Sequence, residues 1–309
     1  MKSFSAEEVA RALEPAALLE AVSLALVDVS QGRASLPQRI AAFAPDGLLG
    51  AMVGYVPSLN VLAAKLVSVY PKNQKLPSHQ AVVLAFDPCT GEPIAAMDGT
   101  GITAERTAAA SALATKLLAR HDAKVLSIVG TGVQAHSHLQ HVSRVRAFGE
   151  ILVGGRDLAK ARALAARFPG ARAVTIDEAV SKADVLCATT HSKEPLVKRA
   201  LVRPGTHLNS VGLNEGGSEL EAGLLEVALL AVESRKSSFA PPPAGARELI
   251  GRDPAQAVEL GELVSGARKG RSSAEQITLY KSVGIAVEDA AAAALVLKLA
   301  GNAAAPVLK

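Results

Sequence analysis

The chain has 309 residues, a length that suits two domains because a single core seldom grows beyond roughly 250–300 residues. Hydrophobic residues make up 49% and charged residues 20%, which is typical of a folded α/β protein and argues against disorder. The net charge is only +4 with no basic stripe among aromatic residues, and no apolar run approaches the roughly 18 residues of a membrane span, which excludes nucleic acid and membrane as predicted partners.

The first 30 residues are predicted to be helical. Ser5 and Glu8 have the spacing of a capping box at the start of an amphipathic segment. This segment has no apolar signal-peptide core. Cys89 and Cys187 fit no zinc or redox spacing and are expected to be buried thiols in a reducing compartment. We therefore predict a cytoplasmic protein.

Between residues 36 and 98, short apolar runs alternate with turn sequences. The runs are QRIAAFA, LLGAMVGYV, LAAKLVSVY, AVVLAFD and PIAAMDG. Strand-length runs closed by Pro, Gly, Asn and Asp favour an antiparallel, hairpin-rich sheet. From Thr103 the sequence TAERTAAASALATKLLAR predicts a long helix that leads into a second domain.

Residues 124–235 alternate strand and helix patterns, which indicates a doubly wound parallel sheet. The last helix, EDAAAAALVLKLAG, is apolar nearly all round and is predicted to pack back against the first domain. We therefore predict an α/β protein with a Rossmann domain at 116–289. A smaller α+β domain at 1–115 and 290–309 would be built from both chain ends.

The stretch SIVGTGVQAH, residues 127–136, has the context of a dinucleotide-binding turn because it joins a strand to a helix start. Gly130 would make the tight turn, Gly132 would let the backbone approach a pyrophosphate, and Ala135 stands where a third glycine is usual. Val133 and Gln134 at the helix start complete this predicted cofactor site. The alternative is a strand–turn–helix that binds nothing.

The second strand of this domain ends in Gly154-Gly155-Arg156, without the acidic residue that binds the ribose hydroxyls of NAD. A guanidinium can hold a 2′-phosphate through charge-assisted bonds, so NADPH is predicted to be preferred, with NADH possible. The adjacent Asp157 weakens this prediction. The alternative is that Arg156 is a solvated residue at a helix start.

Several segments occur in this order along the chain: KLVSVYPKN, LPSHQ, TGEPIA, TAERTAA, VGTGVQAH, CATT, LNSVG and KSVGIAVEDA. They extend from Lys65 to Ala290 and resemble the ornithine cyclodeaminase/mu-crystallin family, so the resemblance covers most of the chain. The resemblance implies a dinucleotide-binding domain between the two parts of a substrate and dimerisation domain. It also implies a homodimer.

The resemblance further implies that Lys65 and Arg106 are catalytic and bind substrate, and that Arg39 binds the substrate carboxylate. These residue types fit an α-imino or α-amino carboxylate, since arginine supplies two parallel bonds and lysine a point charge. Partial burial would lower the pKa of Lys65 and let it exchange a proton with substrate. Without the resemblance, Lys65 would be interpreted as a snorkelling strand lysine and Arg106 as a solvated helix residue. The resemblance also implies cofactor contacts from Ser78, Thr107, Thr190, Val211, Ser282 and Val283.

Ornithine cyclodeaminases carry an aspartate where this chain has Asn214, followed by Glu215. An amide does not titrate, so Asn214 is predicted to bind substrate but not to act as a base. Cyclodeamination of ornithine is therefore not expected unless Glu215 takes the place of the aspartate. The predicted function is therefore an NAD(P)H-dependent reductase that transfers hydride to the α-carbon of an imino acid, such as Δ1-pyrroline-2-carboxylate or an acyclic 2-imino acid. The resemblance leaves an amino acid dehydrogenase similar to alanine dehydrogenase as a second form of the same hydride transfer. The alternatives are ornithine cyclodeaminase, a lyase, and a non-enzymatic NADPH-dependent binding protein of mu-crystallin type.

No metal site is predicted. His136, His138 and His141 lie close together, but no carboxylate or cysteine accompanies them at ligand spacing. We expect solvated or cofactor-adjacent histidines.

Overall fold

The computed structural model describes residues 1–213 and 216–301, which divide into two compact units. Unit 1 comprises Met1–Arg106 and the described chain from Gly284 on, and unit 2 comprises Thr107–Val283. The boundaries predicted after residues 115 and 289 differ from these, and both fall inside uninterrupted helices.

A six-stranded sheet is the framework of unit 1. Its strands are β1 (Lys2–Phe4), β2 (Ile40–Ala44), β3 (Gly47–Val56), β4 (Val61–Val69), β5 (His79–Phe86) and β6 (Pro93–Asp98). Strands β2 to β6 form the antiparallel meander predicted from the alternating apolar runs. β1 pairs with β6 in parallel, so the wholly helical prediction for residues 1–30 was wrong at its start. Three residues are too few to produce a strand periodicity in the sequence.

One face of this sheet is covered by helices. The helices of unit 1 are α1 (Ala6–Ala12), α2 (Pro15–Ser30) and α10 (Ala286–Leu299), together with the first turns of α3 (Gly99–Leu118). The capping box of Ser5 and Glu8 at the start of α1 is confirmed. α10 packs on β3 and β4 and buries alternate residues of these strands, among them Met52, Val56 and Val61.

The other face of the sheet is apolar and incompletely covered within unit 1. Ile40 on β2 is 70% exposed, and Leu49 and Val53 on β3 are 48% and 44% exposed. Leu66 on β4 pairs with Ala51 and Val82, and it is half-buried on this same face. We call this surface the outer sheet face.

Unit 2 is built on an eight-stranded sheet in which every neighbouring pair is parallel. The strands are β7 (Val125–Val129), β8 (Glu150–Gly154), β9 (Ala171–Val174), β10 (Val185–Ala188), β11 (His207–Ser210), β12 (Leu229–Val232), β13 (Val258–Glu259) and β14 (Thr278–Lys281). Their spatial order is β13-β12-β14-β11-β10-β7-β8-β9. The predicted doubly wound sheet is confirmed, and β7 lies where the strand order reverses.

The helices of unit 2 connect these strands. They are the remainder of α3, α4 (Val133–Val142), α5 (Leu158–Ala165), α6 (Ile176–Lys182), α7 (Gly223–Val227), α8 (Arg235–Ser238) and α9 (Leu260–Ser265). Over residues 1–213 and 216–301, no helix has both the length and the hydropathy needed to cross a bilayer.

The predicted exposure of the cysteines and histidines is only partly confirmed. Cys187 is buried as expected, but Cys89 is exposed because it lies in the β5–β6 turn, where its amide donates to Asp87. His138 and His141 are buried on α4 and are not solvated. His138 is hydrogen-bonded through Nε2 to Ser111, at 2.9 Å. Among the described residues, no cluster of His, Cys, Asp and Glu is arranged to hold a metal ion.

Candidate active site

A cluster of charged side chains is buried on the covered face of the unit 1 sheet. Lys65 on β4 is 3% exposed, and its Nζ donates to Asp289 Oδ1 at 2.8 Å. Arg106 on α3 is 4% exposed, and its Nε donates to the same oxygen at 3.2 Å. The structure therefore brings Lys65 and Arg106 together on one carboxylate, which excludes both the snorkelling and the solvated interpretations.

The carboxylates of this cluster come from the first turn of α10. Glu288 Oε2 accepts a 2.7 Å bond from Arg106 Nη1 and a 3.0 Å bond from the backbone N–H of Ile285. Glu288 and Asp289 lie where the helix dipole favours negative charge. Glu288 therefore both caps the start of the helix and holds Arg106, while Asp289 holds both cations.

Gly284 connects Arg39 to the cluster. Arg39 Nη2 donates to the carbonyl oxygen of Gly284 at 2.6 Å. Gly284 has φ +67°, a conformation that side chains rarely adopt, and a Cβ there would lie 2.6 Å from Nη2 and 2.8 Å from Cζ of Arg106. Glycine is required at this position because the guanidinium occupies the space of a side chain. We call Arg39, Lys65, Arg106, Glu288 and Asp289 the charged cluster.

The electrostatics of the cluster lower the pKa of both members of the central ion pair. Burial lowers the pKa of Lys65 to about 8, with Arg106 and Arg39 acting in the same direction and Asp289 against it. Burial alone would raise the pKa of Asp289, but Lys65 and Arg106 outweigh it and hold that pKa below its ordinary value. At neutral pH the pair is ionised, and Lys65 titrates close to that range.

In unit 2, the β7–α4 turn has the shape of a phosphate cradle. Gly130 has φ +130°, and a Cβ there would lie 2.5 Å from Thr189 Oγ1 in the loop after β10. Gly132 is the N-cap of α4 and has open space where its Cβ would be. Val133 is exposed, whereas Gln134 Oε1 is buried with no hydrogen-bond partner among the described residues. Backbone N–H groups at a helix start beside open space suit an anion.

Arg156 lies after β8, and its side chain is exposed. The neighbouring carboxylate is engaged, because Asp157 Oδ1 caps α5 by accepting from the amides of Ala159 and Lys160. Asp157 therefore serves the helix start.

The other predicted cofactor residues are distributed over both units. Ser78 lies in unit 1 just before β5, and Thr107 is the first residue of unit 2. Thr190 follows β10, Val211 follows β11, and Ser282 and Val283 follow β14. These last four lie at one edge of the sheet, since the carboxyl ends of parallel strands meet there. Asn214 and Glu215 lie outside the described residues.

Ser282 and Val283 bind the same carboxylate. Ser282 Oγ donates to Glu233 Oε1 at 2.7 Å, and the Val283 amide donates to the same oxygen at 3.0 Å. Glu233, like Glu288 and Asp289, was missed by sequence reasoning. The available signal was an acidic residue directly after, or at the start of, an otherwise apolar buried element.

Comparison with known proteins gives one consistent result. The model of the ornithine cyclodeaminase/mu-crystallin family matches residues 2–302. The ketimine reductase mu-crystallin of Mus musculus is 39% identical over 303 residues, covering 94% of this chain and 95% of the mouse protein.

Two solved structures are similar over nearly the whole chain. The Δ1-pyrroline-2-carboxylate reductase of Thermococcus litoralis, in complex with NADH and L-proline, has a TM-score of 0.91 and 35% identity over 97% of both chains. An archaeal alanine dehydrogenase dimer with bound NAD has a TM-score of 0.90 and 30% identity, covering 98% of this chain and 97% of that one. With its charged cluster, its glycine cradle and these matches, the chain belongs to the ornithine cyclodeaminase/mu-crystallin family.

Proposed function

We propose that this protein is an NAD(P)H-dependent reductase that transfers hydride to the α-carbon of an imino acid. The observation that carries the proposal is the pair of cations, Lys65 and Arg106, buried side by side on Asp289. Buried ion pairs contribute little net stability compared with apolar residues of similar size, so their presence in an apolar sheet face favours a function in binding. The relatives named ketimine reductase and Δ1-pyrroline-2-carboxylate reductase support the choice of substrate class.

The charged cluster would bind the substrate carboxylate. Arg106 is held by Glu288 and Asp289, and Arg39 by Gly284, so their orientation is fixed before substrate arrives. A preformed site loses little side-chain entropy on binding, which favours charge-assisted bonds to a carboxylate. Once bound, the substrate carboxylate would hold the substrate so that its α-carbon is positioned for hydride transfer.

Lys65 is the residue we propose for proton exchange. Reduction of a neutral imine to an amine takes up one hydride and one proton, and the proton goes to the substrate nitrogen. With a pKa of about 8, Lys65 can carry that proton at neutral pH and release it. Asp289 accepts from Lys65 Nζ and keeps it oriented.

The cofactor we propose is a reduced nicotinamide dinucleotide, which supplies the hydride when bound. The fit rests on the Gly130–Gly132 turn, where one glycine has no room for a side chain and the other leaves open space. Arg156 is exposed beside a capping Asp157, which supports a preference for the 2′-phosphate of NADPH. Ser78, Thr107, Val133, Gln134, Thr190, Val211, Ser282 and Val283 remain proposed contacts.

We also propose that the protein is a homodimer assembled through the outer sheet face. Ile40, Leu49 and Val53 give this face a continuous apolar surface, and such patches mark interfaces in soluble proteins. The similar archaeal alanine dehydrogenase is a dimer.

We expect the variants Lys65→Met and Arg106→Ala to lower kcat/KM for imino acids by on the order of 100-fold or more, since each removes a charge-assisted bond in a buried site. A panel of cyclic and acyclic imino acids with NADPH and NADH provides the measurement. Lys72→Ala is the matched control, because Lys72 forms its ion pair with Asp46 on the surface.

Near-normal turnover in both variants would overturn the substrate site. The same panel, run with ornithine and NAD, tests the lyase alternative through ammonia release. Nucleotide binding without turnover of any substrate would favour the binding-protein alternative.

The pH dependence of kcat/KM should report Lys65. This side chain is protonated below its pKa of about 8 and loses its charge above it, so we expect kcat/KM to fall as pH rises through that value. Lys65→Arg provides the comparison, because a guanidinium stays charged across this range. An identical fall in the arginine variant would assign the titration to another group or to the substrate.

We expect NADPH to be favoured over NADH by roughly 10- to 100-fold in kcat/KM, which corresponds to about 1.4–2.8 kcal/mol. Arg156→Asp should abolish or invert this preference, because a carboxylate repels the phosphate and accepts from ribose hydroxyls. Arg162→Asp, an equal charge change on α5, is the control. Equal use of both cofactors, unchanged by Arg156→Asp, would contradict the phosphate assignment.

Light scattering should give a particle of twice the 31.7 kDa chain mass. Val53→Lys should shift the particle to the monomer, because the change buries a charge in an apolar interface. Val227→Lys adds the same charge at an exposed apolar residue of unit 2 and should leave the mass unchanged. A dimer that survives Val53→Lys would exclude the outer sheet face as the interface.

A further inference from the structure

A buried carboxylate links two neighbouring strand ends in unit 2. Glu219 is 1% exposed. Its Oε2 accepts from both the amide and the hydroxyl of Thr190, each at 2.9 Å. Its Oε1 accepts from the hydroxyl of Ser210 at 2.9 Å and from the amide of Gly212 at 2.7 Å. One side chain thus ties the segment after β10 to the segment after β11.

The peptides around Gly212 are held from two directions. The Gly212 amide donates to Glu219, while its carbonyl accepts from Lys281 Nζ at the end of β14. Lys281 is completely buried and is itself anchored by Glu248 Oε1 at 3.0 Å. Val211, between Ser210 and Gly212, therefore has little freedom to move.

Glu219 is in turn fixed by its own backbone. Its carbonyl accepts from the amides of Leu196 and Val197, at 2.9 and 3.0 Å. The carboxylate of Glu219 accepts four hydrogen bonds, and its backbone carbonyl accepts two. The carboxylate therefore cannot shift without breaking several of them. These bonds make the network around Glu219 rigid.

We propose that Glu219, assisted by Lys281, is a positioning residue for the bound nicotinamide dinucleotide. It acts through Thr190 and Val211, which it holds at the carboxyl edge of the sheet. This inference rests on the proposed function, since it needs the cofactor to bind at that edge. Burying a carboxylate costs free energy that a packed apolar residue would not cost. The network is therefore better explained by its effect on the positions of Thr190 and Val211 than by a gain in folding stability.

The amino ends of the strands in the same sheet offer a matched control. Asp184 precedes β10 and accepts from the amides of Lys124 and Val125, at 2.8 and 3.0 Å. It also accepts from Arg120 and Arg203, each at 3.2 Å. Like Glu219, Asp184 ties neighbouring segments together, but it lies at the amino ends of the strands.

The experiment compares Glu219→Gln with Asp184→Asn. The chain has no tryptophan, so the fluorescence of bound NADH or NADPH can be followed without energy transfer from indole. In Glu219→Gln, an amide cannot accept from all four donors, and we expect the Kd of both nucleotides to rise about 10-fold. The KM of the imino acid should stay within about twofold, because the charged cluster lies in unit 1.

Asp184→Asn should lower the melting temperature but leave both Kd values within about twofold of those of the parent protein. If Glu219→Gln does not fold, Ser210→Ala removes one donor to Glu219 and should raise the Kd about two- to fivefold. Kd values in the Glu219 or Ser210 variants that match those of Asp184→Asn would overturn the inference. Binding of nucleotide without reduction of any imine would overturn only the proposed function, and a protein that binds neither nucleotide would overturn both.

Discussion

The candidate active site depends on the pairing of two buried cations with the carboxylate of Asp289. Lys65 and Arg106 both donate to its Oδ1, and neither cation is exposed to bulk water. Without Asp289, two positive charges would be buried next to each other in an apolar layer, at a cost of several kcal/mol. The same carboxylate opposes the effect of burial on the pKa of Lys65. It therefore controls both where the cations lie and how readily one of them gives up a proton.

The two units use buried carboxylates in a similar way. In unit 1, Glu288 and Asp289 orient cations, while in unit 2 Glu219 and Glu233 accept from neutral backbone and hydroxyl groups. In both cases, the acidic side chain fixes the geometry of other residues that we propose to contact ligand. A buried carboxylate with satisfied hydrogen bonds is rigid, and rigidity in the supporting residues makes a site selective.

Much of the architecture could be predicted from the sequence. Alternating apolar runs predicted the meander β2 to β6, and the glycine turn before Val133 predicted the strand–turn–helix of the second sheet. The sequence could not predict the pairing of Lys65 with Asp289, because 224 residues separate them and only the tertiary fold brings them together. Glu288 and Asp289 lie in the first turn of α10, where acidic residues are common because they interact favourably with the helix dipole, so nothing in the sequence indicated a further role. Burial of His138 was missed for a related reason, since its partner Ser111 lies on another helix.

The charged cluster also constrains the order in which the protein can be made. Its cations come from the first 106 residues of the chain, whereas Gly284, Glu288 and Asp289 belong to the last 26 residues of the 309. During synthesis, α10 emerges only after all of unit 2 has left the ribosome. Until then, the covered face of the first sheet lacks α10 and the counter-charges of its cations, so unit 1 cannot complete its core. Unit 1 therefore finishes folding only after unit 2 has been synthesised, and its early-made strands must remain unaggregated while unit 2 is translated.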